Sequence, residues 1–371
     1  PDRSLDRSIA GPGLLAELIV GKFGDHLPLY RLEDIMVRRG VHLPRSTLCD
    51  WMAGCAELLH PLYDLQRQLV LRSPVLWTDD TPVTFLGDDE NPGSHTGRYW
   101  TYIGDDDHPY SVYDFTTSRK RDGPASFLAG YQGFVHADAY SGYDAVYLGS
   151  DGRVLECACM AHARRKFFEA RTNQPRECHE ILEWIRQLYD IEDRGETFSV
   201  SDRQALRQSE SVPILTRMED RLRLHKATAL PKSGFGQAVT YALNQWEALC
   251  RFTTDGRLTI DNNTAERTLR HQAVGRKNWL FLGSEQAGPR SAVLSTILAG
   301  AKRHRLEPWA YVRDVLLRLH AESSDLTPLL PDRWATAHPE HVLKHRLDES
   351  RRKATRKRDR RAQRRTARTT P

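Results

Sequence analysis

The sequence predicts a mixed α/β protein with a purely helical stretch inside it and a helical segment ahead of it. Three observations predict this. Segments rich in Val, Tyr, Trp and Thr alternate with helical ones across residues 73–174, residues 175–253 show helical spacing alone, and residues 1–72 repeat apolar side chains at intervals of three and four.

In the N-terminal segment, residues 14–23 are apolar with helical spacing, and Leu29, Leu32, Ile35 and Met36 share one face of residues 29–39. Gly40 supplies a stop. Ser46, two residues after Pro44, is suited to cap a third helix carrying Leu48, Trp51 and Met52 toward Leu71. Helix, Gly-containing turn and helix opening at Ser46-Thr47 is the layout of a DNA-binding helix-turn-helix, and equally that of a helical hairpin packed on its neighbour.

The pattern changes at Ser73-Pro74. A short strand over 75–78 ends at Asp79-Asp80, and residues 98–103 and 110–117 bracket a Gly/Asp turn as an antiparallel pair would. A helix start at 123–128, a strand at 133–137 ending in Asp138, a strand at 154–159 and a basic helix at 162–171 follow. Residues 180–191, 202–225 and 235–252 read as helices. Strand character resumes at 258–260, and Asp261-Asn262-Asn263 opens a helix over 264–271. Helices at 291–304 and 308–321 close the body. The expected division is 1–72, a helix-turn-helix-like domain; 73–174 and 254–321, two parts of one α/β domain; 175–253, a helical insertion; and 322–371, a C-terminal segment with a basic tail.

Composition bounds the class. The chain has 371 residues, 39% of them apolar and 28% charged, ordinary for a globular protein. No apolar run approaches bilayer length and no signal peptide opens the chain, which begins at Pro1 rather than Met, so a natural N-terminal stretch is expected to precede it. Six scattered cysteines suit a reducing cytoplasm better than a disulfide framework. The net charge of +5 hides an asymmetry: residues 341–371 hold 13 Lys+Arg against 3 Asp+Glu, and the rest of the chain is mildly acidic. Such a tail is either solvated or a phosphate-binding arm.

Three acids stand out by position. Asp79 and Asp138 end strands, and Glu266 lies in the first turns of a helix. Acids at the carboxyl ends of neighbouring strands converge on one edge of a sheet. Gathered carboxylates repel unless a cation joins them, and hard oxygen ligands select Mg²⁺ or Mn²⁺. Two such ions, about 3.5–4 Å apart, clamp the attacking and leaving oxygens of a phosphoryl transfer. Taken singly, an Asp after a strand is a turn residue and a Glu in a first helical turn complements the dipole.

The segments around these acids narrow the reading. Leu76-Trp77-Thr78-Asp79-Asp80-Thr81-Pro82-Val83, His136-Ala137-Asp138-Ala139-Tyr140-Ser141-Gly142-Tyr143 and Asp261-Asn262-Asn263-Thr264-Ala265-Glu266-Arg267 resemble the three acidic motifs of the insertion sequence 66 family of bacterial DDE transposases. The segments 159–168, 275–281 and 26–31 are similar to further family motifs, so the resemblance runs in order from about Leu14 to Trp334. It implies a ribonuclease-H-like catalytic fold, with Asp79, Asp138 and Glu266 as catalytic residues and ligands of two Mg²⁺ or Mn²⁺ ions. It also implies double-stranded DNA as substrate, a homo-oligomer on paired DNA ends, accessory transposition proteins, and a cytoplasmic, nucleoid-associated enzyme. Water would free a 3′ hydroxyl at each transposon end, and that hydroxyl would attack target DNA. The family's first motif often reads Asp-Glu where this chain has Asp79-Asp80; Asp79 matches the family aspartate. Nothing here matches the cysteine-rich, zinc-finger-like region that full-length relatives carry ahead of the helical domain.

Basic residues surround these motifs. Arg267 and Arg270 share a helix face with one-turn spacing, and Arg276, Lys277, Arg164, Arg165 and Lys166 add charge nearby; these are candidate phosphate contacts, with a solvated ion-paired surface as the alternative. His162, at the start of the basic helix, is a candidate DNA contact. Cys157, Cys159 and His162 lack a paired second knuckle, so burial in a strand is favoured over zinc for the cysteines. Tyr140, Tyr143 and Trp279 suit core packing better than base stacking. A ribonuclease-H-like nuclease without strand transfer, or a silent transposon-derived DNA-binding protein, are the competing functions.

Overall fold

A computed structural model describes residues 5, 9–120, 122–138, 140–320 and 325–369. Ala139 of the second acidic motif and the ends of the expected segments 1–72, 308–321 and 341–371 lie outside them. The chain divides into two compact units, residues 67–288 and residues 1–66 together with 289–371.

The second unit is helical. Its helices are α1 (Pro12–Ile19), continued by a π-turn at Val20–Gly24, then α2 (Leu29–Arg38) and α3 (Arg45–Val70), whose last residues pass into the other unit. Gly40, at φ +82, makes the left-handed turn after α2. Ser46 was expected to cap α3, but the Leu48 amide donates to Pro44 O, so the helix already runs at Arg45 and Ser46 lies within its first turn. Leu15, Leu18, Leu48, Leu59, Val312 and Leu316 are all completely buried.

The unit of residues 67–288 is built on one mixed sheet. Its strands are β1 (Val75–Leu86), β2 (Ser94–Ile103), β3 (Ser111–Thr116), β4 (Gly133–His136), β5 (Val154–Cys157) and β6 (Phe281–Leu282). The order is β3-β2-β1-β4-β5; β2 is antiparallel to β1 and β3, and β4 runs parallel to β1 and β5. The helices between strands are α4 (Asp122–Phe127), α5 (Asp144–Leu148) and α6 (Met160–Ala170). Beyond β5 come α7 (Pro175–Arg194), α8 (Val200–Leu206), a π-turn at Arg207–Ser211, α9 (Val212–Thr228), α10 (Gly234–Asn244), α11 (Trp246–Cys250) and α12 (Asn263–Trp279). The chain closes with α13 (Ala287–Arg303), α14 (Pro308–His320), α15 (Pro331–Ala337) and α16 (Lys344–Thr369), so the helices expected at 291–304 and 308–321 group with the N-terminal ones. Among the described residues no helix is long and apolar enough to cross a membrane.

Two strand expectations need correction. β1 does not stop at Thr78 but runs through Asp79, Asp80 and Pro82 to Leu86, paired with β2 from Trp77↔Ile103 to Leu86↔Ser94. Pro82 is tolerated in this central strand because of which way its backbone points. Its carbonyl faces away from β2 and accepts from Arg276 at 2.6 Å, so the amide hydrogen that proline lacks would have pointed to the same strandless side. Residues 258–260, expected as a strand, are irregular; their polar groups are taken by helices and side chains, with Met160 N donating to Ile260 O at 3.1 Å and Arg207 to Leu258 O at 2.9 Å.

On the edge of β1 away from β2, β4 pairs with residues 75–77 and β6 with residues 84–85. Between them the strand edge is bare of strands. Asn262 and Arg276 satisfy its carbonyls at Thr78 and Pro82, and the site opens there.

Residues 175–253 share a core with the sheet. Phe167, Ile181, Ile185, Leu188, Met218, Leu222, Val239 and Phe252 belong to one buried apolar cluster with Val75, Trp77 and Cys157. Arg207, 1% exposed, crosses this core with its charge satisfied. It pairs bidentately with Glu192 at 2.7 and 2.6 Å and donates to the carbonyls of Phe252, Asp255 and Leu258.

Candidate active site

Two neighbouring aspartates of β1 reach the site, and their partners distinguish them. Asp80, its carboxylate 1% exposed, lies between two guanidiniums: Arg98 Nη1 at 3.0 Å and Arg119 Nη2 at 2.8 Å. Its charge is already balanced. Asp79 and Asp80 both line a cavity of about 380 Å³, together with Thr81, Asn263, Glu266, Arg267 and Arg270.

Among the described residues no cation pairs with Asp79. Its carboxylate accepts from the Asp80 amide at 2.8 Å. Burial pushes its pKa up to about 7; the Asp80 amide pulls the other way, and the charges of Asp138, Asp80 and Glu266 add to the rise. Asp138 follows β4. Burial raises its pKa as well, opposed chiefly by Arg119, whose Nη2 lies 3.5 Å from Oδ2. Its other oxygen, Oδ1, is buried without a hydrogen-bond partner. Carboxylate oxygens of Asp79, Asp80 and Asp138 lie within 4.8 Å of one another.

Glu266 arrives from α12, and Asp261 and Asn262 just before that helix fix its start. Asp261 Oδ1 accepts from the Asn263 amide at 3.1 Å in an Asx turn ahead of the helix, whose N-cap residue Asn262 makes no side-chain cap, and Asp261 Oδ2 accepts from Tyr189 OH at 2.9 Å. The fully buried Asn262 turns its side chain to the sheet instead, donating to Thr78 O at 2.8 Å, while its amide donates to Cys159 Sγ at 3.3 Å. One turn later Glu266 lines the cavity with Asp79, and its Oε1 lies 3.5 Å from His162 Nε2.

The expected cations divide by environment. Arg267 and Arg270 are exposed and line the cavity beside Glu266. Arg276 is held by the fold, donating to Thr81 Oγ1 at 2.8 Å as well as to Pro82 O. Lys277 is exposed near the far end of α12. His162 reaches Glu266; Arg164, Arg165 and Lys166 follow it on the exposed side of α6, with Arg164 over the Phe168 ring and Lys166 over the Tyr241 ring. Tyr143 is buried and packed, its hydroxyl 3.0 Å from Thr78 Oγ1, while Tyr140 carries the Arg119 guanidinium on its ring face at 3.8 Å. Cys157 and Cys159 are both buried, as expected; burial pushes the Cys159 thiol up to about 11, against the Asn262 amide.

Sequence reasoning missed Arg98, Arg119 and Asn262. Arg119 lies in the basic run Ser118-Arg119-Lys120-Arg121 directly after β3, a signal that charge counting within the acidic motifs passes over. Asn262 was read only as part of a cap.

Residues 7–290 match the family described as "Transposase IS66 family". Two proteins of Sinorhizobium fredii are similar along most of the chain. Uncharacterized protein y4hP is 33% identical over 365 residues, covering 92% of this chain and 66% of that one. Uncharacterized protein y4jD is 34% identical over 349 residues, covering 90% and 68%. The chain thus spans about two thirds of the length of these relatives.

Proposed function

The chain belongs to the IS66 transposase family, and from that premise we propose that it is the catalytic part of a DDE transposase that cuts transposon DNA ends and joins their 3′ hydroxyls to target DNA. The observation that supports the reading is that carboxylate oxygens of Asp79, Asp80 and Asp138 lie within 4.8 Å of one another, while Glu266 lines the same cavity as Asp79. Three antiparallel strands followed by two parallel ones support a ribonuclease-H-like catalytic fold, with residues 175–253 as its helical insertion.

The donor set suits hard divalent cations. Asp138 Oδ1 and Glu266 Oε1 are buried oxygens without a hydrogen-bond partner, and the carboxyl of Asp79 is desolvated. Asp79, Asp138 and Glu266 would hold Mg²⁺ or Mn²⁺, which when bound supplies neutralising charge at both oxygens of an in-line displacement on phosphorus. Asp80 keeps Arg98 and Arg119 in place instead of binding the ions. Arg267 and Arg270 contact DNA phosphates at the cavity rim, with Lys277, Arg164, Arg165 and Lys166 extending the positive surface. His162 stands beside Glu266 on the α6 side, where it is a candidate DNA contact. Arg276 serves the fold, fixing the end of α12 to β1. Paired transposon ends, a homo-oligomer and accessory proteins complete the reaction on this reading.

The test is an assay with pre-cleaved 3′-hydroxyl ends, Mg²⁺ and supercoiled target DNA. Joined products that vanish in Asp79→Asn and Glu266→Gln support the reading. Hydrolysis without joining replaces it with the nuclease, and a biological effect that survives both substitutions replaces it with a DNA-binding remnant.

A further inference from the structure

Beside the hard-acid cluster lies a second group of different chemistry. Cys159, His162 and Glu266 offer a sulfur, a ring nitrogen and a carboxylate oxygen within 4.8 Å of one another. The spacing explains two of them. Cys159 is the extended residue before α6, at φ −93 and ψ 110, and His162 stands in the first turn of that helix, so a Cys-x-x-His run brings both to one helix end. The third comes from the start of α12, which the Asn262 amide fastens to Cys159 Sγ at 3.3 Å.

The polar atoms here are incompletely used. His162 Nδ1 and Glu266 Oε1 are buried and have no hydrogen-bond partner, and the 3.5 Å between His162 Nε2 and Glu266 Oε1 is long for a hydrogen bond. Both side chains are half-buried, but Nδ1 and Oε1 are shut off from water beside a buried thiol, and an unpaired buried polar atom is costly unless something joins it. Cys157 does not take part; it is packed in the apolar core.

Sulfur decides which ion suits this set. Mg²⁺ takes oxygen, whereas Zn²⁺ accepts thiolate, imidazole and carboxylate together at about 2.0–2.3 Å, with three protein ligands and one open position. We propose that Cys159, His162 and Glu266 form a site for a thiophilic divalent ion of the zinc class, and that its occupancy draws Glu266 away from the hard-ion pocket. On binding, the Cys159 S–H bond breaks, the proton leaves to solvent and a metal–sulfur bond forms. The site's existence stands on its own geometry. Its effect on activity rests on the transposase reading, in which Zn²⁺ inhibits Mg²⁺-dependent joining by competing for one shared carboxylate.

Co²⁺ titrated into the full chain is the probe. The expected result is a near-ultraviolet sulfur-to-cobalt charge-transfer band, with visible bands of tetrahedral intensity, all displaced by Zn²⁺. In Cys159→Ser the charge-transfer band disappears. In His162→Gln the Co²⁺ affinity falls by more than the ~10–100-fold that loss of an outer partner costs. The double variant Asp79→Asn, Asp138→Asn keeps the band. Absence of the band, or its persistence in Cys159→Ser, overturns the proposal even where joining proceeds with Mg²⁺. A band present in a protein that never joins DNA leaves the site standing and removes the transposase reading alone. Should Cys159→Ser fail to fold, an unchanged Co²⁺ affinity in folded His162→Gln overturns the site equally.

Discussion

Asn262 donates its side-chain amide to the carbonyl of Thr78 at 2.8 Å, tying the start of the glutamate's helix to the residue before Asp79. Residues 184 apart in the chain are thereby held in one register, and Glu266 one turn on shares a cavity with Asp79. Replacing Asn262 by Ala leaves a buried carbonyl without a donor, at a cost of about 1–3 kcal/mol. Urea unfolding should show that loss, with a larger proportional fall in DNA joining than in DNA binding. Equal falls in both would mean that Asn262 supports the fold without placing Glu266.

Asp79 and Asp80 should behave oppositely on substitution. Asp80→Asn weakens two guanidinium contacts to a buried carboxylate and should destabilise by roughly 2–3 kcal/mol. Asp79→Asn removes a desolvated acid and should not destabilise, yet should abolish joining. Thermal melts of both variants beside the joining assay decide it.

The same acid gives a pH dependence. The folded chain raises the pKa of Asp79 from 3.8 to about 7, so the folded state binds this proton more tightly than the unfolded one. The stabilisation is complete below about pH 4 and disappears as pH rises toward 7. After discounting for partial exposure, it amounts to roughly 2–3 kcal/mol, or about 3–4 °C in Tm for a chain of 371 residues. Metal-free protein should therefore melt lower at pH 8 than at pH 5, relative to an Asp79→Asn variant that lacks this slope, and Mn²⁺ should raise the melting temperature at pH 8. A parallel pH response in both proteins would contradict the assigned environment of Asp79.

Much of the site was legible because its acids sit in short ordered motifs, and the expected strands at 98–103, 110–117, 133–137 and 154–159 correspond to β2–β5 within a few residues. What escaped depends on partners distant in sequence. Arg119 reaches Asp80 across 39 positions, and Arg207 reaches Leu258 across 51. Neither pairing leaves a local pattern. β1 read short because Asp-Asp-Thr-Pro is a poor strand sequence; only the bare edge of the sheet makes Pro82 acceptable there. Residues 258–260 read as a strand for their alternation, but the sheet edge near Asp79 is occupied by side-chain donors instead.

Arg276 and Arg270 share α12 yet should separate cleanly. Arg276→Ala loses donors to Thr81 and Pro82 and should cost about 1–2 kcal/mol of stability, with little change in the salt dependence of DNA binding. Arg270→Ala should leave stability unchanged and lower the slope of log K against log salt by about one, as expected for one lost phosphate contact. Equilibrium binding at several salt concentrations, beside urea melts, distinguishes them.

The helix α16 extends that logic to the tail. The charge that the sequence concentrates in residues 341–371 is carried on Lys344–Thr369, where Arg351, Arg352, Lys353 and Arg356 are all exposed. Some of it is spent locally, since Glu349 accepts from Arg346 and Lys353. On the proposed function, the remaining charge attracts phosphate without reading bases. Removing residues 344–371 should weaken binding to all DNA sequences alike and reduce the salt slope by roughly three to five, while leaving any preference between transposon-end and random DNA unchanged. A truncated chain that keeps its affinity and slope would make α16 a solvated helix; one that loses only its preference would give it a part in reading sequence, which bare charge cannot supply.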